Sequence, residues 1–172
     1  MKILFAYDGS EGSNAAITAA GELLNREGVD AIVLSVWEPL LVEVERYGAL
    51  TGPFAGASIP MDAARVDEAA QDQAQQLAEH GAELAREAGF EARAVSVAES
   101  RRVYQTILDE ADQLGANLIV LGARGLAGIA AYMGSVSNHV LQHAQRPVLV
   151  IPTTLPGHND PGKGEVPAGQ SS

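Results

Sequence analysis

The chain contains no cysteine, which excludes a disulfide framework and any thiolate metal site and permits a reducing compartment. Cations are scarce: 11 Lys and Arg stand against 22 Asp and Glu, a formal charge of −11 at pH 7. A surface of that sign repels DNA, RNA and anionic membranes at long range, so no nucleic-acid or membrane partner is expected. No run approaches the roughly 20 apolar residues of a membrane span. The opening MKILFAYDGS has a lone Lys2 and a short apolar stretch before Asp8, unlike a signal peptide, and a cytoplasmic location is the expectation. A local anion site stays open to such a chain, because backbone N–H groups act at short range whatever the net charge.

With 47% hydrophobic residues in 172, the chain is long enough for one globular domain with a substantial core. Lys2 to Tyr7 is almost wholly apolar, as suits a strand buried on both faces. Apolar residues then recur at helical spacing from Ser13 through Leu24, and Gly28 is expected to stop that helix. Further strands are predicted at 31–37, 92–97, 117–121 and 147–152. Helices are predicted at 62–88, 103–114 and 135–143, the first with Val66, Ala70, Gln73, Leu77 and Leu84 near one face and closed by Gly89. The alternation of strand and helix implies an α/β fold, a doubly wound, five-stranded parallel sheet with helices on both faces. Between Glu38 and Pro60 the periodicity vanishes among Pro and Gly, giving a long surface loop at 38–60. The segment 153–172 has almost no large apolar side chains and is expected to be a disordered tail.

The stretch from Leu118 to Pro152 carries the chemistry. A hydrophobic strand runs into Gly122-Ala123-Arg124-Gly125, and eight residues later come Gly134-Ser135, a new helix and a last strand. In open α/β sheets a ligand sits beyond the carboxyl ends of the strands, near the point where strand order reverses, so the ends of the first and fourth strands, at Asp8 and Gly122, are expected to flank one crevice. Gly122, Gly125 and Gly134 are expected to use positive φ and let the backbone approach a ligand. Ser135 offers a hydroxyl and opens a helix whose first N–H groups are unpaired, a natural seat for phosphate. Arg124 either neutralises a terminal phosphate or extends into solvent. The pattern is neither G-x-x-x-x-G-K-[ST] nor G-x-G-x-x-G, and with no lysine in the loop it is not a Walker-type NTPase.

The segments ILFAYDGSEGSNAA, IVLSVWEP, NLIVLGARG and MGSVSNHVLQHAQRPVLVIP together resemble the universal stress protein family in its nucleotide-binding branch. The resemblance spans residues 1–152, read as one nucleotide-binding domain. It implies a Rossmann-like fold of the adenine nucleotide alpha hydrolase type and a bound ATP, or AMP, ADP or cAMP, with any Mg²⁺ carried in by the nucleotide. Carried over by position, Ala6, Tyr7 and Asp8 meet adenine and ribose, Val36 offers its backbone to the base and Leu121 covers it. Gly122 lies by the ribose, and Gly125, Gly134, Ser135 and Val136 hold the phosphates. The spacing from Gly125 to Gly134 is one residue shorter than in the family's ATP-binding members. From the residues alone, Asp8 reads equally as a helix N-cap or turn residue, and Val36 and Leu121 as core.

His139 and His143 stand at i, i+4, a spacing that fits two metal ligands, but without the Glu of H-E-x-x-H or an evident third ligand. Ser135 lies in M-G-S-V-S, not in a nucleophile elbow. No general base is identifiable, so turnover of ATP, if any, is slow. The last strand, Pro147–Pro152, would be a liability as a bare edge, and the resemblance implies a homodimer through it. The leading expectation is a nucleotide-binding stress-response switch. A slow ATP hydrolase and a nucleotide-free dimeric scaffold are the alternatives.

Overall fold

The computed structural model describes residues 1–24, 27–40, 63–123 and 134–152. Most of the expected long loop at 38–60, the glycine loop from Arg124 to Met133 and the expected tail at 153–172 lie outside them. The elements run β1 (Lys2–Ala6), α1 (Glu11–Leu23), β2 (Asp30–Trp37), α2 (Ala63–Glu87), β3 (Glu91–Ala98), α3 (Val103–Gln113), β4 (Leu118–Ala123), α4 (Ser135–His143) and β5 (Val148–Pro152). All strand pairs are parallel, in the order β3-β2-β1-β4-β5. This is the expected doubly wound sheet.

Alternation along each strand divides the core between the two faces. Ile3, Phe5 and Tyr7 pack with Ala16, Ile17 and Ala20 of α1 and with Ala82 and Ala85 of α2. On the other face Leu4, Leu34, Ile119 and Leu121 pack with Ile107 and Ala111 of α3 and Val140 of α4. Phe5, Ile3, Leu4, Ile17 and Ile32 are among the largest fully buried side chains, each contributing roughly 1.5–3 kcal/mol by burial.

The helix ends follow their local chemistry, with one exception to expectation. Gly89, at φ 94°, closes α2 in a Schellman motif: Gly89 N donates to Arg86 O and Phe90 N to Ala85 O. Gly115, at φ 66°, closes α3 in the same way, through Gly115 N to Asp112 O and Ala116 N to Ala111 O. The first helix, in contrast, does not run on to Gly28. It ends at Leu23, its cap Leu24 is extended, and Gly28 takes positive φ in the approach to β2.

The buried stripe of α2 also differs from the expected one. Val66 is 46% exposed and Gln73 faces solvent, whereas Ala74, Ala78, Ala82 and Ala85 are buried. Small residues let this helix lie close on the sheet. At Gly81 a Cβ would come within 2.8 Å of the Tyr7 ring and of Val33 Cγ1, so close approach, not side-chain bulk, fills this part of the core.

Candidate functional site

Strand order reverses direction between β1 and β4, the position where open α/β sheets leave a crevice. The register between these strands runs from Ile3–Leu118 to Phe5–Val120 and ends there. Beyond it lies a cavity of about 280 Å³. Of the residues expected there, Ala6, Tyr7, Asp8, Val36, Leu121, Gly122, Gly134, Ser135 and Val136 all line this one cavity. Arg124 and Gly125, with the shortened spacing that follows them, lie outside the described residues.

Six further lining residues escaped the sequence reading: Ser10, Ser13, Leu34, Val103, Ile107 and Ser137. Leu34 follows from strand alternation once Val36 is placed on that face. Val103 and Ile107 are one helical turn apart on α3, a spacing that marks a buried face but not which cavity it closes. Ser10 and Ser13 carry a capping signal, described next, and Ser137 carries none.

Asp8 is exposed and its Oδ1 accepts from Ser10 N at 3.1 Å, an Asx turn. Of the two local roles open to Asp8, the turn is the one adopted. The N-cap of α1 is Ser10, whose Oγ accepts from Ser13 N at 3.2 Å while Ser13 Oγ donates to Ser10 O at 2.9 Å. Tyr7 turns its ring to the α1–α2 side, where its hydroxyl donates to Asn14 Oδ1 at 2.7 Å. Its main chain is therefore the part at the cavity. Burial of the phenol, and after it the neighbouring Asp8 charge, push the Tyr7 pKa above its usual 10.0.

Two glycines of the loop region serve otherwise than expected. Neither Gly122 nor Gly134 takes positive φ; Gly134 caps α4 at φ −54°, ψ 154°. A Cβ on Gly122 would stand 2.3 Å from the carbonyl carbon and oxygen of Gly12 and 2.7 Å from Ser13 N. Glycine is required at 122 because the first turn of α1 presses on the end of β4. Gly134 gives α4 no side-chain cap, and the start of that helix, with its first-turn amides, lies where Gly134, Ser135, Val136 and Ser137 line the cavity.

The outer side of α4 is bound to α3 by ring contacts. Tyr104 lies 4.9 Å from His139 and 5.3 Å from His143, centroid to centroid. His139 Nδ1 donates to Ser135 O at 2.6 Å and His143 Nδ1 to His139 O at 2.9 Å. Among the described residues no group of three or more His, Asp or Glu is placed to hold a metal ion, and no helix is long and apolar enough to cross a membrane.

The cavity is thus chemically graded. Leu34, Val36, Val103, Ile107 and Leu121 supply aliphatic lining, Asp8 supplies carboxylate acceptors, and the start of α4 supplies N–H donors. Such an arrangement suits a ligand with an apolar plane, hydroxyls and an anionic end.

The sequence model of the universal stress protein family matches residues 1–152. Universal stress protein YxiE of Bacillus subtilis (strain 168) is 31% identical over 151 residues, covering 87% of this chain and 97% of that protein. Among solved structures, hypothetical protein MJ0577 superposes with a TM-score of 0.65 at 20% identity, over 88% of this chain and 94% of that one. A universal stress protein in complex with cAMP superposes with a TM-score of 0.60 at 20% identity, over 90% of this chain and 98% of that one. At these identities the two structures speak for the fold.

Proposed function

From the premise that this chain belongs to the universal stress protein family, we propose that its cavity holds an adenine nucleotide, ATP or its relatives AMP, ADP and cAMP, and that the protein acts as a nucleotide-responsive switch in a stress response. The observation that carries this reading is the meeting, across the β1–β4 switch point, of Asp8, an aliphatic wall and the uncapped start of α4. The base lies against Leu34, Val36 and Leu121, the ribose hydroxyls donate to Asp8, and the phosphates accept from the amides of Ser135 and Val136. That orientation keeps the phosphates away from the Asp8 carboxylate. The partial positive charge of a helix start works at short range, which is why an anionic chain can hold an anion here. Mg²⁺, arriving with a triphosphate, would take its oxygens mainly from phosphate and water. The cAMP held by a relative supports the ligand class.

The same reading includes a homodimer through β5, which stands at one edge of the sheet with Val148, Leu149 and Val150 only half buried. An apolar edge strand of this kind is satisfied by a two-fold copy of itself.

Calorimetric titration with ATP, ADP, AMP and cAMP tests the ligand assignment. At least one is expected to bind, and Asp8→Ala is expected to weaken it about tenfold or more, the effect of losing a hydrogen bond to a charged group. Absence of heat with all four at millimolar concentration rejects the reading.

A further inference from the structure

Ser137 is a buried hydroxyl that no expectation assigned a task. It is 6% exposed, it sits in the first turn of α4, and its Oγ donates to the carbonyl of Gly122 at 3.0 Å. The acceptor has an unusual setting. Gly122 follows the last β1–β4 pair, Phe5–Val120, so the ladder with β1 no longer holds it. On its Cα side the first turn of α1 leaves no space for a methyl group. The carbonyl is therefore a point of fixed backbone wedged against one helix start, and Ser137 moors the other helix start to it.

The mooring also spans the glycine loop. β4 ends at Ala123 and α4 begins at Ser135, so the hydrogen bond from Ser137 to Gly122 joins the two stems of the segment between them directly. Without it, the place of the α4 amides relative to the strand end would rest, among the described residues, on helix packing: Val136 and Val140 against the core and the contacts of Tyr104 with His139 and His143. Amides gripping a phosphate lose strength steeply as distance and angle depart from the optimum, so a tether of this kind acts on binding even though its own hydrogen is directed to protein.

We propose that Ser137 is a positioning residue for the anionic end of the ligand: it holds the first-turn amides of α4 at their distance from β4. The inference rests on the nucleotide reading above and says which part of the ligand feels the tether. The aliphatic wall and Asp8 do not depend on Ser137, so the nucleoside moiety should be indifferent to its loss while the phosphate is not.

The test is the ratio of affinities for AMP and adenosine, measured by calorimetry on the full chain. Expected for Ser137→Ala is a fall of about tenfold in the AMP/adenosine ratio, with adenosine affinity within about twofold of the unmodified protein. Ser137→Thr, which keeps the hydroxyl, restores the ratio. Ser137→Cys, close in size but a weak donor, behaves like alanine. The inference is overturned if Ser137→Ala keeps the full ratio, or if Ser137→Ala and Ser137→Cys lose adenosine and AMP equally, which is the signature of a damaged cavity. If Ser137→Ala fails to fold, the Cys and Thr variants decide between the same outcomes. Failure of the unmodified protein to bind either compound removes the nucleotide reading and this inference with it, and is distinguished from the other results because it needs no variant.

Discussion

A methyl group at position 122 would occupy the space of Gly12 main-chain atoms, and this explains the residue without reference to a ligand. Gly122 and Asp8 show how one residue can satisfy two demands, since each serves the local backbone and also lines the cavity. Tyr7 is the residue whose local chemistry is most directly measurable. Burial disfavours its phenolate, and the Asp8 carboxylate adds to the effect. Because the folded-state pKa lies above the usual 10.0, the contribution of the neutral phenol to stability is complete below about pH 10 and is lost as pH rises through the folded value. In an ultraviolet titration of the four tyrosines, one is expected to ionise late and to coincide with alkaline unfolding seen by circular dichroism. Tyr7→Phe removes that late step, and Asp8→Asn moves it down by the smaller share, since burial is the larger cause. Four tyrosines titrating together at the ordinary value would contradict the assignment.

Elements are joined here by few but specific polar contacts at their ends. The clearest is Arg146, in the turn between α4 and β5. Its guanidinium donates to Ala111 O at 2.7 Å and to Ala116 O, and pairs with Asp112. It thereby places a cation on a carbonyl of the last turn of α3, Ala111, where the helix dipole favours one, and on Ala116 just beyond the closing turn. Its side chain is 18% exposed, against 69% for Asp112. The carbonyl contacts therefore carry the effect, while the carboxylate is largely screened. Arg146→Ala is expected to destabilise the fold by roughly 2 kcal/mol, read as a lower midpoint in urea at unchanged slope. Lysine in its place restores only part, because guanidinium holds the two carbonyls on Nη1 and Asp112 on Nη2, and a single ammonium nitrogen cannot reproduce that two-nitrogen fork. An unchanged midpoint for Arg146→Ala would show that α3 needs no such clamp. Sequence patterns did not single out Arg146: nothing in a lone arginine before a proline announces carbonyls some thirty residues earlier. The glycines at 89 and 115 are different. Their signal is local, a helix pattern ending in Gly, and the first was legible because the Schellman turn is completed by the same few residues that announce it.

At the scale of the whole molecule, the sheet order leaves β5 at an edge among the described strands, and the proposed dimer is tested there. If β5 pairs with its symmetry mate, the unmodified chain sediments as a dimer at micromolar concentration. A single-chain mass for the unmodified protein would remove the dimer from the functional reading.

The place of Val36 at the site came only with the family resemblance, but the alternation of strand and helix and the meeting of Asp8, Gly122 and Gly134–Ser135 at one end of the sheet could be read before any coordinates. Each depends on short-range spacing and on the general rule that parallel crossovers bring strand ends together. The steric reason for Gly122, the alanine seam of α2, the tether from Ser137 and the clamp of Arg146 could not. Each of those depends on atoms far apart in the chain meeting at hydrogen-bond or van der Waals distance, and separations of that size are set when the layers pack, a step that leaves no periodicity in the order of residues.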